Sequence, residues 1–245
     1  MVFRHLDLFS GIGGFSLGLE RCKRFKTIAF CEQDEYCRSI LRKHWPDVPI
    51  YQDVETFPTE EVSDVDIITG GYPCQPFSVA SRYQQGTSDD RHLWPYMLKI
   101  VRQTRPTYIV AENVTGHVQL GLDEVLHDLE GEGYTTRTVI IPACGVDAPH
   151  LRKRLWILAY TNYSRQSSGS RDWQPRNNIG RSSESERGYK WPDEPNVPRV
   201  AHGIPNRLDR IRVLGNSLIP KIVEVIGEGI CQHSDYSRTP SKIDS

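Results

Sequence analysis

Short apolar runs alternate with amphipathic stretches over the first 160 residues of this 245-residue chain. Apolar and β-branched runs bounded by polar or glycine positions predict strands at residues 3–9, 27–31, 65–69, 107–111, 135–141 and 154–160. Apolar positions recurring every three or four residues predict helices at residues 15–24, 36–44, 93–103 and 122–130. Strands that alternate with helices in this way predict an α/β fold with a doubly wound, mainly parallel sheet.

The pattern changes after residue 160. Ser, Arg, Gly, Asn and Pro dominate the segment up to residue 199, which is typical of a loop-rich insert. Helical periodicity returns at residues 204–214 and 220–231. We therefore expect one main domain built from residues 1–160 and 213–234. The loop-rich region then covers residues 161–212, and a flexible tail covers residues 235–245.

Composition excludes several classes of protein. No stretch approaches the roughly 20 apolar residues of a membrane-spanning helix, and the first residues lack a signal-peptide pattern, so we expect a cytoplasmic protein with no membrane partner. The six cysteines form no Cys-x-x-Cys pair and no cluster at zinc spacing. We therefore expect reduced thiols and no metal site.

The charge is distributed unevenly, although the net charge is only −1 at pH 7. Residues 137–215 carry 14 Lys and Arg against 7 Asp and Glu, while the rest of the chain carries 16 against 24, a balance of −8. A basic region of this kind could face a polyanion such as a nucleic acid. Taken alone, the charge fits an ordinary solvated surface equally well.

A glycine-rich loop follows the first predicted strand. Residues 7–14 read Asp-Leu-Phe-Ser-Gly-Ile-Gly-Gly, and glycines at this position let a cofactor approach the backbone at the carboxyl edge of the sheet. The second predicted strand leads to Glu32, whose carboxylate could accept hydrogen bonds from both hydroxyls of a ribose. A tight turn or a nicotinamide site would explain the loop nearly as well, and Glu32 could instead be a buried ion-pair partner.

Cys74 lies in the segment Gly-Gly-Tyr-Pro-Cys-Gln-Pro-Phe-Ser at residues 70–78, directly after a predicted strand. Considered alone, a single cysteine is more often a small core residue than a nucleophile. The next predicted strand, however, leads into Glu112, which puts a carboxyl group at the same edge of the sheet. A thiol beside a carboxylic acid suits attack on an electron-poor ring whose nitrogen the acid protonates.

These motifs, taken in order, resemble those of the DNA (cytosine-5)-methyltransferases of bacterial and phage type. The matching segments are residues 7–14 for the S-adenosylmethionine loop, Glu32 for the ribose-binding acid, 70–78 for the Pro-Cys-Gln loop, 112–114 for Glu-Asn-Val, 150–154 for Gln-x-Arg-x-Arg, and 214–217 with Pro220 for the closing motif. His150 stands where the family has Gln, which is one departure. The resemblance implies a Rossmann-like class I methyltransferase fold in which residues 161–212 form a short target-recognition region.

The resemblance also implies a reaction. A methyl group would pass from S-adenosylmethionine to C5 of a cytosine flipped out of a short duplex DNA sequence, through a covalent bond between Cys74 and C6. Glu112 would hydrogen-bond N3 and the exocyclic amine, and Arg154 would steady O2. Arg152 would contact a phosphate or order the cysteine loop. Residues 75–91 would form a mobile lid, for which a passive surface loop is the alternative.

The expected cofactor-binding residues come from several loops. They are Phe9, Ser10, Gly11, Gly13, Glu32, Gln33, Asp53, Pro73, Asn216 and Ser217. Phe9 would stack near the adenine, and Gly11 and Gly13 would let the methionine part approach. Asp53 would accept a hydrogen bond from the adenine amine, or would be only a turn residue.

Double-stranded DNA is the implied substrate, a cognate restriction endonuclease is an implied partner, and we expect a monomer. The arginines and tryptophans of the insert could read groove edges and phosphates, or could belong to a degraded loop. A nicotinamide oxidoreductase would have no use for Pro-Cys-Gln together with Glu-Asn-Val. An RNA cytosine methyltransferase of the transfer-RNA-modifying branch is a stronger alternative. A non-catalytic DNA-binding relative would not need Cys74, Glu112 and Arg154.

Overall fold

The computed structural model describes residues 1–62, 64–73, 93–161, 214 and 216–238. The strands are β1 (Phe3–Leu8), β2 (Phe25–Cys31), β3 (Ile50–Tyr51), β4 (Ile67–Gly70), β5 (Tyr108–Val114), β6 (Thr135–Pro142) and β7 (Lys153–Tyr160). The helices are α1 (Gly14–Glu20), α2 (Glu35–His44), α3 (Trp94–Thr104), α4 (His117–Leu120), α5 (Leu122–Gly131) and α6 (Pro220–Arg238), with 3-10 turns at Thr59–Glu61 and Ala143–Val146. Among the described residues, no helix has the length and apolar character needed to cross a membrane.

The strands form one seven-stranded sheet in the order β3-β2-β1-β4-β5-β7-β6. Strands β1 to β5 pair in parallel, since helical crossovers return the chain to the same end of the sheet each time. Strand β7 runs antiparallel to both of its neighbours, because only a short connection separates it from β6. The predicted α/β fold with a doubly wound, mainly parallel sheet is confirmed.

Each of the predicted strands and helices before residue 161 is present, with shifted ends. The shift that matters most for the site is in β5, which we expected to stop at residue 111 but which continues through Glu112 to Val114. Strand β7 pairs with β5 from Tyr108↔Tyr160 to Val114↔Arg154, so the last three residues of β5 remain in the sheet. Glu112 therefore lies within the strand rather than beyond its end.

In the part of the chain that the structure describes, the core consists of two apolar clusters, one on each face of the sheet. On one face, α3 and α5 contribute residues such as Met97 and Val125 to a cluster that also holds Tyr72 and Trp94. On the other face, α1 and α6 pack against the buried Trp156. Cores closed on both faces are what doubly wound sheets require.

Helix α6 is longer than the pattern predicts. We expected residues 235–245 to form a tail, but the helix continues to Arg238. Two observations explain the longer helix. Ser234 is buried, and Asp235 accepts two hydrogen bonds from Arg24 at 2.7 and 2.9 Å. The predicted helix at 204–214 and the insert beyond residue 161 lie outside the described residues, apart from Leu214.

A buried polar network lies under the glycine loop on the face that α1 covers. Asp7 accepts hydrogen bonds from Ser16 at 2.7 Å and from Thr69 at 3.2 Å, and Thr69 also bonds His5 Nε2 at 2.7 Å. Burial raises the pKa of Asp7 to about 7 and lowers the pKa of His5 to about 3. His5 is therefore neutral at physiological pH, and these hydrogen bonds anchor the end of β1 from which the loop starts.

We predict that Gly18→Ala destabilises the protein, because a Cβ at Gly18 would lie 2.5 Å from the Pro220 carbonyl oxygen and from Val223 Cβ where α1 meets α6. The free energy of unfolding should fall by about 1–3 kcal/mol. Urea unfolding measures the change. Gly229→Ala is the matched control within α6, because a Cβ there meets nothing within 4 Å, and it should raise stability by up to about 1 kcal/mol. Equal effects of the two substitutions would contradict this account of the helix packing.

Candidate active site

Three chain segments meet at the carboxyl edge of the parallel strands. The glycine loop follows β1, residues 71–73 follow β4, and Glu112 lies near the end of β5. A cavity of about 590 Å³ opens here, as expected at this edge of an α/β sheet. The predicted residues that line it are Phe9, Ser10, Gly11, Glu32, Gln33, Asp53, Pro73, Glu112, Asn216 and Ser217.

Backbone N–H groups hold the Glu32 carboxylate in place. The Gly11 N–H donates to one oxygen at 2.7 Å, and the Asp34 N–H donates to the other at 2.8 Å. Gly11 has a φ of 54°, in the left-handed region that favours glycine, and nothing lies within 4 Å of a Cβ placed there. Within the described part of the chain, no basic side chain forms an ion pair with Glu32, so its remaining lone pairs face the cavity as hydrogen-bond acceptors.

Ser10 links the glycine loop to β2 through hydrogen bonds. Its hydroxyl donates to the Asp7 carbonyl at 2.6 Å and accepts from the Cys31 N–H at 3.2 Å, and its own N–H donates to the Cys31 carbonyl. Gly13 contributes in a different way from the one we expected. It has a φ of 82°, a Cβ there would lie 2.6 Å from the Trp45 ring, and it does not line the cavity. Glycine at position 13 is therefore required by the turn and by Trp45.

Another part of the cavity wall combines the turn at Asp53 with the residues that precede the last helix. Asp53 lines the cavity and also accepts a hydrogen bond from the Glu55 N–H at 2.9 Å, so the turn explanation and the binding explanation both remain compatible with its position. Ser217 donates to the Leu214 carbonyl at 3.0 Å, and Asn216 is exposed at the rim. Chain segments far apart in sequence therefore enclose one space.

Glu112 is the most unusual carboxyl group of this cavity, because only 12% of its side chain is exposed. Arg154 Nε lies 2.9 Å from its Oε1, in an ion pair that departs from the geometry of a well-aligned hydrogen bond. Burial raises the pKa of Glu112, while the charges of Arg154 and Arg152 act in the opposite direction. The pKa of Arg152 is lowered by burial and by the neighbouring Arg154. The structure thus brings these three predicted residues together.

Asn113 is a residue whose contribution the sequence did not reveal. Its buried side chain donates from Nδ2 to the Tyr72 carbonyl at 3.2 Å, which ties β5 to the segment leading into Pro73. The sequence signal that could have identified Asn113 is its position in the Glu-Asn-Val motif. Tyr72 in turn contacts His117, for which the sequence offered no signal at all.

Cys74 and the predicted lid at residues 75–91 lie outside the described residues, as does nearly all of the insert at 161–212. Pro73, which directly precedes Cys74 in the chain, lines the cavity. Within the described ranges, no three His, Cys, Asp or Glu side chains are grouped so that they could hold a metal ion.

The strand order, with β7 antiparallel between β5 and β6, is that of the class I methyltransferases. The sequence profile of the C-5 cytosine-specific DNA methylase family matches residues 3–195. The chain therefore belongs to this family, which confirms the resemblance found in the motifs.

Curated relatives and a solved structure resemble much of the chain. The Type II methyltransferase M.NgoMIV of Neisseria gonorrhoeae is 31% identical over 172 residues, which cover 66% of this chain and 54% of the relative. The Type II methyltransferase M.CviJI of Paramecium bursaria Chlorella virus IL3A is 26% identical over 233 residues, which cover 94% and 60%. A candidate DNA modification methyltransferase encoded within an Escherichia coli prophage superposes with a TM-score of 0.56 at 26% identity, covering 65% of this chain and 47% of that one. This chain spans between 37% and 54% of the first three curated relatives that it matches.

We predict that the pKa of Glu112 lies above its ordinary value of 4.5, and that Arg154→Gln raises it further by removing the largest opposing charge. The measurement is a carboxyl ¹³C NMR titration of glutamate-labelled protein, with the resonance assigned through Glu112→Gln. Arg42→Gln, which removes a partner of the exposed Glu35, is the control and should leave the pKa of Glu112 unchanged. A pKa below 4.5 in the wild type would contradict the dominance of burial.

The same shift has a consequence for stability. Because the folded-state pKa of Glu112 is raised above the unfolded value, this carboxyl contributes stability below pH 4.5 that is lost as the pH rises through the folded-state pKa.

Proposed function

We propose that this protein is a DNA (cytosine-5)-methyltransferase. It transfers a methyl group from S-adenosylmethionine to C5 of a cytosine flipped out of a specific short duplex DNA sequence. The observation that carries the proposal is the largely buried Glu112, which pairs with Arg154 and lines the same cavity as the Glu32 carboxylate and Pro73, the residue before Cys74. Family membership supports the same chemistry.

The cavity suits S-adenosylmethionine as its ligand. Glu32 presents acceptor oxygens for a ribose, Phe9 offers a ring for the adenine, and Asp53 offers an acceptor for the adenine amine. The carboxylates of Glu32, Asp53 and Glu55 line the cavity and favour a ligand with positive charge. The remaining binding residues are the other predicted residues that line the cavity, namely Ser10, Gly11, Gln33, Pro73, Asn216 and Ser217. S-adenosylmethionine, when bound, supplies an electrophilic methyl group on a positively charged sulfur.

Cys74 and Glu112 act together on the base. The Cys74 thiolate forms a bond to C6 while the protonated Glu112 carboxyl gives its proton to N3, so that electron density accumulates at C5. The raised pKa of Glu112 supports this role because it enlarges the protonated fraction at neutral pH. The carboxylate left behind faces Arg154, which stabilises its charge and also contacts O2 of the base. After C5 is methylated, its proton passes to a base and the bond between C6 and Cys74 breaks, so that Cys74 leaves as a thiolate and N3 returns its proton to Glu112.

The substrate is double-stranded DNA. Flipping the cytosine out of the duplex costs a few kcal/mol, because its stacking and base pairing are lost. Residues 1–160 and 213–238, to the end of α6, form the catalytic domain, and the basic segment at 161–212 supplies phosphate contacts and base readout. The curated relatives are named as Type II methyltransferases, which supports a restriction–modification setting with a cognate endonuclease. The protein acts as a monomer in the cytoplasm of a bacterial cell.

We predict that the wild type transfers a labelled methyl group from S-adenosylmethionine to duplex DNA and that Cys74→Ser abolishes the transfer, since a hydroxyl is a far weaker nucleophile. Glu112→Gln should lower kcat by about 10²- to 10⁴-fold, because proton donation to N3 is lost. Transfer RNA is assayed in parallel. Transfer to RNA with none to DNA would contradict the proposed substrate, and an unaffected Cys74→Ser variant would contradict the mechanism.

A second prediction concerns the cofactor. Glu32→Gln should weaken binding of S-adenosylmethionine by about ten- to a hundredfold, because it removes a charged acceptor and places an amide opposite the Gly11 N–H. Isothermal titration calorimetry measures the Kd. Glu35→Gln is the matched control, since Glu35 lies three residues away, outside the cavity, and pairs with Arg38 and Arg42. If both variants bind equally well, Glu32 is not the ribose-binding acid.

A further inference from the structure

Tyr72 and His117 form a buried polar contact that the mechanism above does not use. The Tyr72 hydroxyl lies 2.8 Å from His117 Nε2, and the two rings meet edge to face with centroids 5.5 Å apart. Tyr72 is 3% exposed and His117 is 7% exposed. Tyr72 also packs on the ring of Trp94, at a centroid distance of 5.2 Å. The hydrogen bond therefore lies inside the apolar cluster between the sheet and α3.

Close packing alone does not explain why the Tyr72 hydroxyl and the His117 ring nitrogen are buried here. The cluster around Tyr72 is apolar, so a phenylalanine facing a leucine would fill similar space without removing two polar groups from water. A hydrogen bond between rigid rings, by contrast, fixes distance and direction, which apolar contacts do not. The pair is thus better suited to holding a segment in one position than to adding stability.

The segment that it holds is the approach to the nucleophile. The carbonyl of Tyr72 accepts a hydrogen bond from Asn113, the neighbour of Glu112 on β5, while the hydroxyl of Tyr72 reaches His117 at the start of α4. Tyr72 is therefore held at both its backbone and its side chain. Pro73 follows it on the cavity wall, and Cys74 is the next residue of the chain.

We propose that Tyr72 and His117 are positioning residues for methyl transfer. Their hydrogen bond holds residues 72–73 against β5 and so fixes the point from which Cys74 reaches C6 while Glu112 reaches N3. The inference rests on the proposed function and deepens it. Neither residue contacts the substrate, so both act through the placement of Cys74.

The test compares Tyr72→Phe with Tyr134→Phe. Tyr134 is also 3% exposed, and its hydroxyl donates to the Pro106 carbonyl at 2.8 Å, but it directly precedes β6 and not a residue of the cavity wall. Both variants lose one buried hydrogen bond and should melt at lower temperature. Tyr72→Phe alone should lower kcat by about tenfold while KM for DNA and for S-adenosylmethionine stays within about twofold, because only the reacting geometry changes.

A second pair of variants, both at His117, distinguishes loss of the hydrogen bond from general misfolding. His117→Gln keeps a group that can hydrogen-bond Tyr72 and should retain more of kcat than His117→Leu, which cannot. A purely structural role would shift melting temperature in these variants without separating their kcat values. If Tyr72→Phe and Tyr134→Phe have equal kcat, or if His117→Leu matches His117→Gln, the inference is wrong.

Failure of the proposed function is recognised separately, because then the wild type itself transfers no methyl group to DNA or transfer RNA. In that case the rate of Cys74 alkylation by iodoacetamide, followed by peptide mass spectrometry, decides the inference. Faster alkylation in Tyr72→Phe and His117→Leu than in Tyr134→Phe supports the positioning role, because a released segment exposes the thiol more often. Equal rates in all three variants overturn it.

Discussion

Parallel pairing of β1, β4 and β5 brings three chain segments, far apart in sequence, to one edge of the sheet. The glycine loop and residues 71–73 directly follow their strands and Glu112 lies two residues before the end of β5, so all three meet there. A helical crossover must return the chain to the same end of the sheet before each new strand, and it is this topology that makes the cavity possible. The cavity-lining carboxylates, the Pro73 segment and the Glu112–Arg154 pair are all arranged around that edge.

Strand β7 determines the surroundings of Glu112. It runs antiparallel to β5, keeps Glu112 within the sheet, and places Arg154 opposite Val114, two residues further along β5. The same strand that buries the carboxyl therefore supplies the cation that limits the cost of burying it. Burial raises the pKa of Glu112 and the charge of Arg154 opposes that rise, so β7 affects the protonation of this carboxyl in both directions.

Periodicity and motif order predicted the fold class and most of the cavity wall, because those features depend on local spacing and on strand ends. Tertiary contacts accounted for what the sequence could not predict. The extension of β5 needs β7 as a partner, the extension of α6 needs Arg24, and the requirement for glycine at position 13 comes from Trp45. His117 had no signal of its own, since a histidine at the start of a short helix is uninformative until Tyr72 is seen beside it.

The central claim is that Cys74 attacks the cytosine that Glu112 activates. Duplex DNA in which the target cytosines are replaced by 5-fluorocytosine tests it most directly, because fluorine at C5 cannot leave as the proton does and the thiol then cannot be expelled. With S-adenosylmethionine present, the account predicts a covalent protein–DNA complex that survives denaturation and maps by peptide mass spectrometry to Cys74. An adduct on another residue, such as the exposed Cys144, would contradict the claim. So would turnover of normal DNA with no trapped complex.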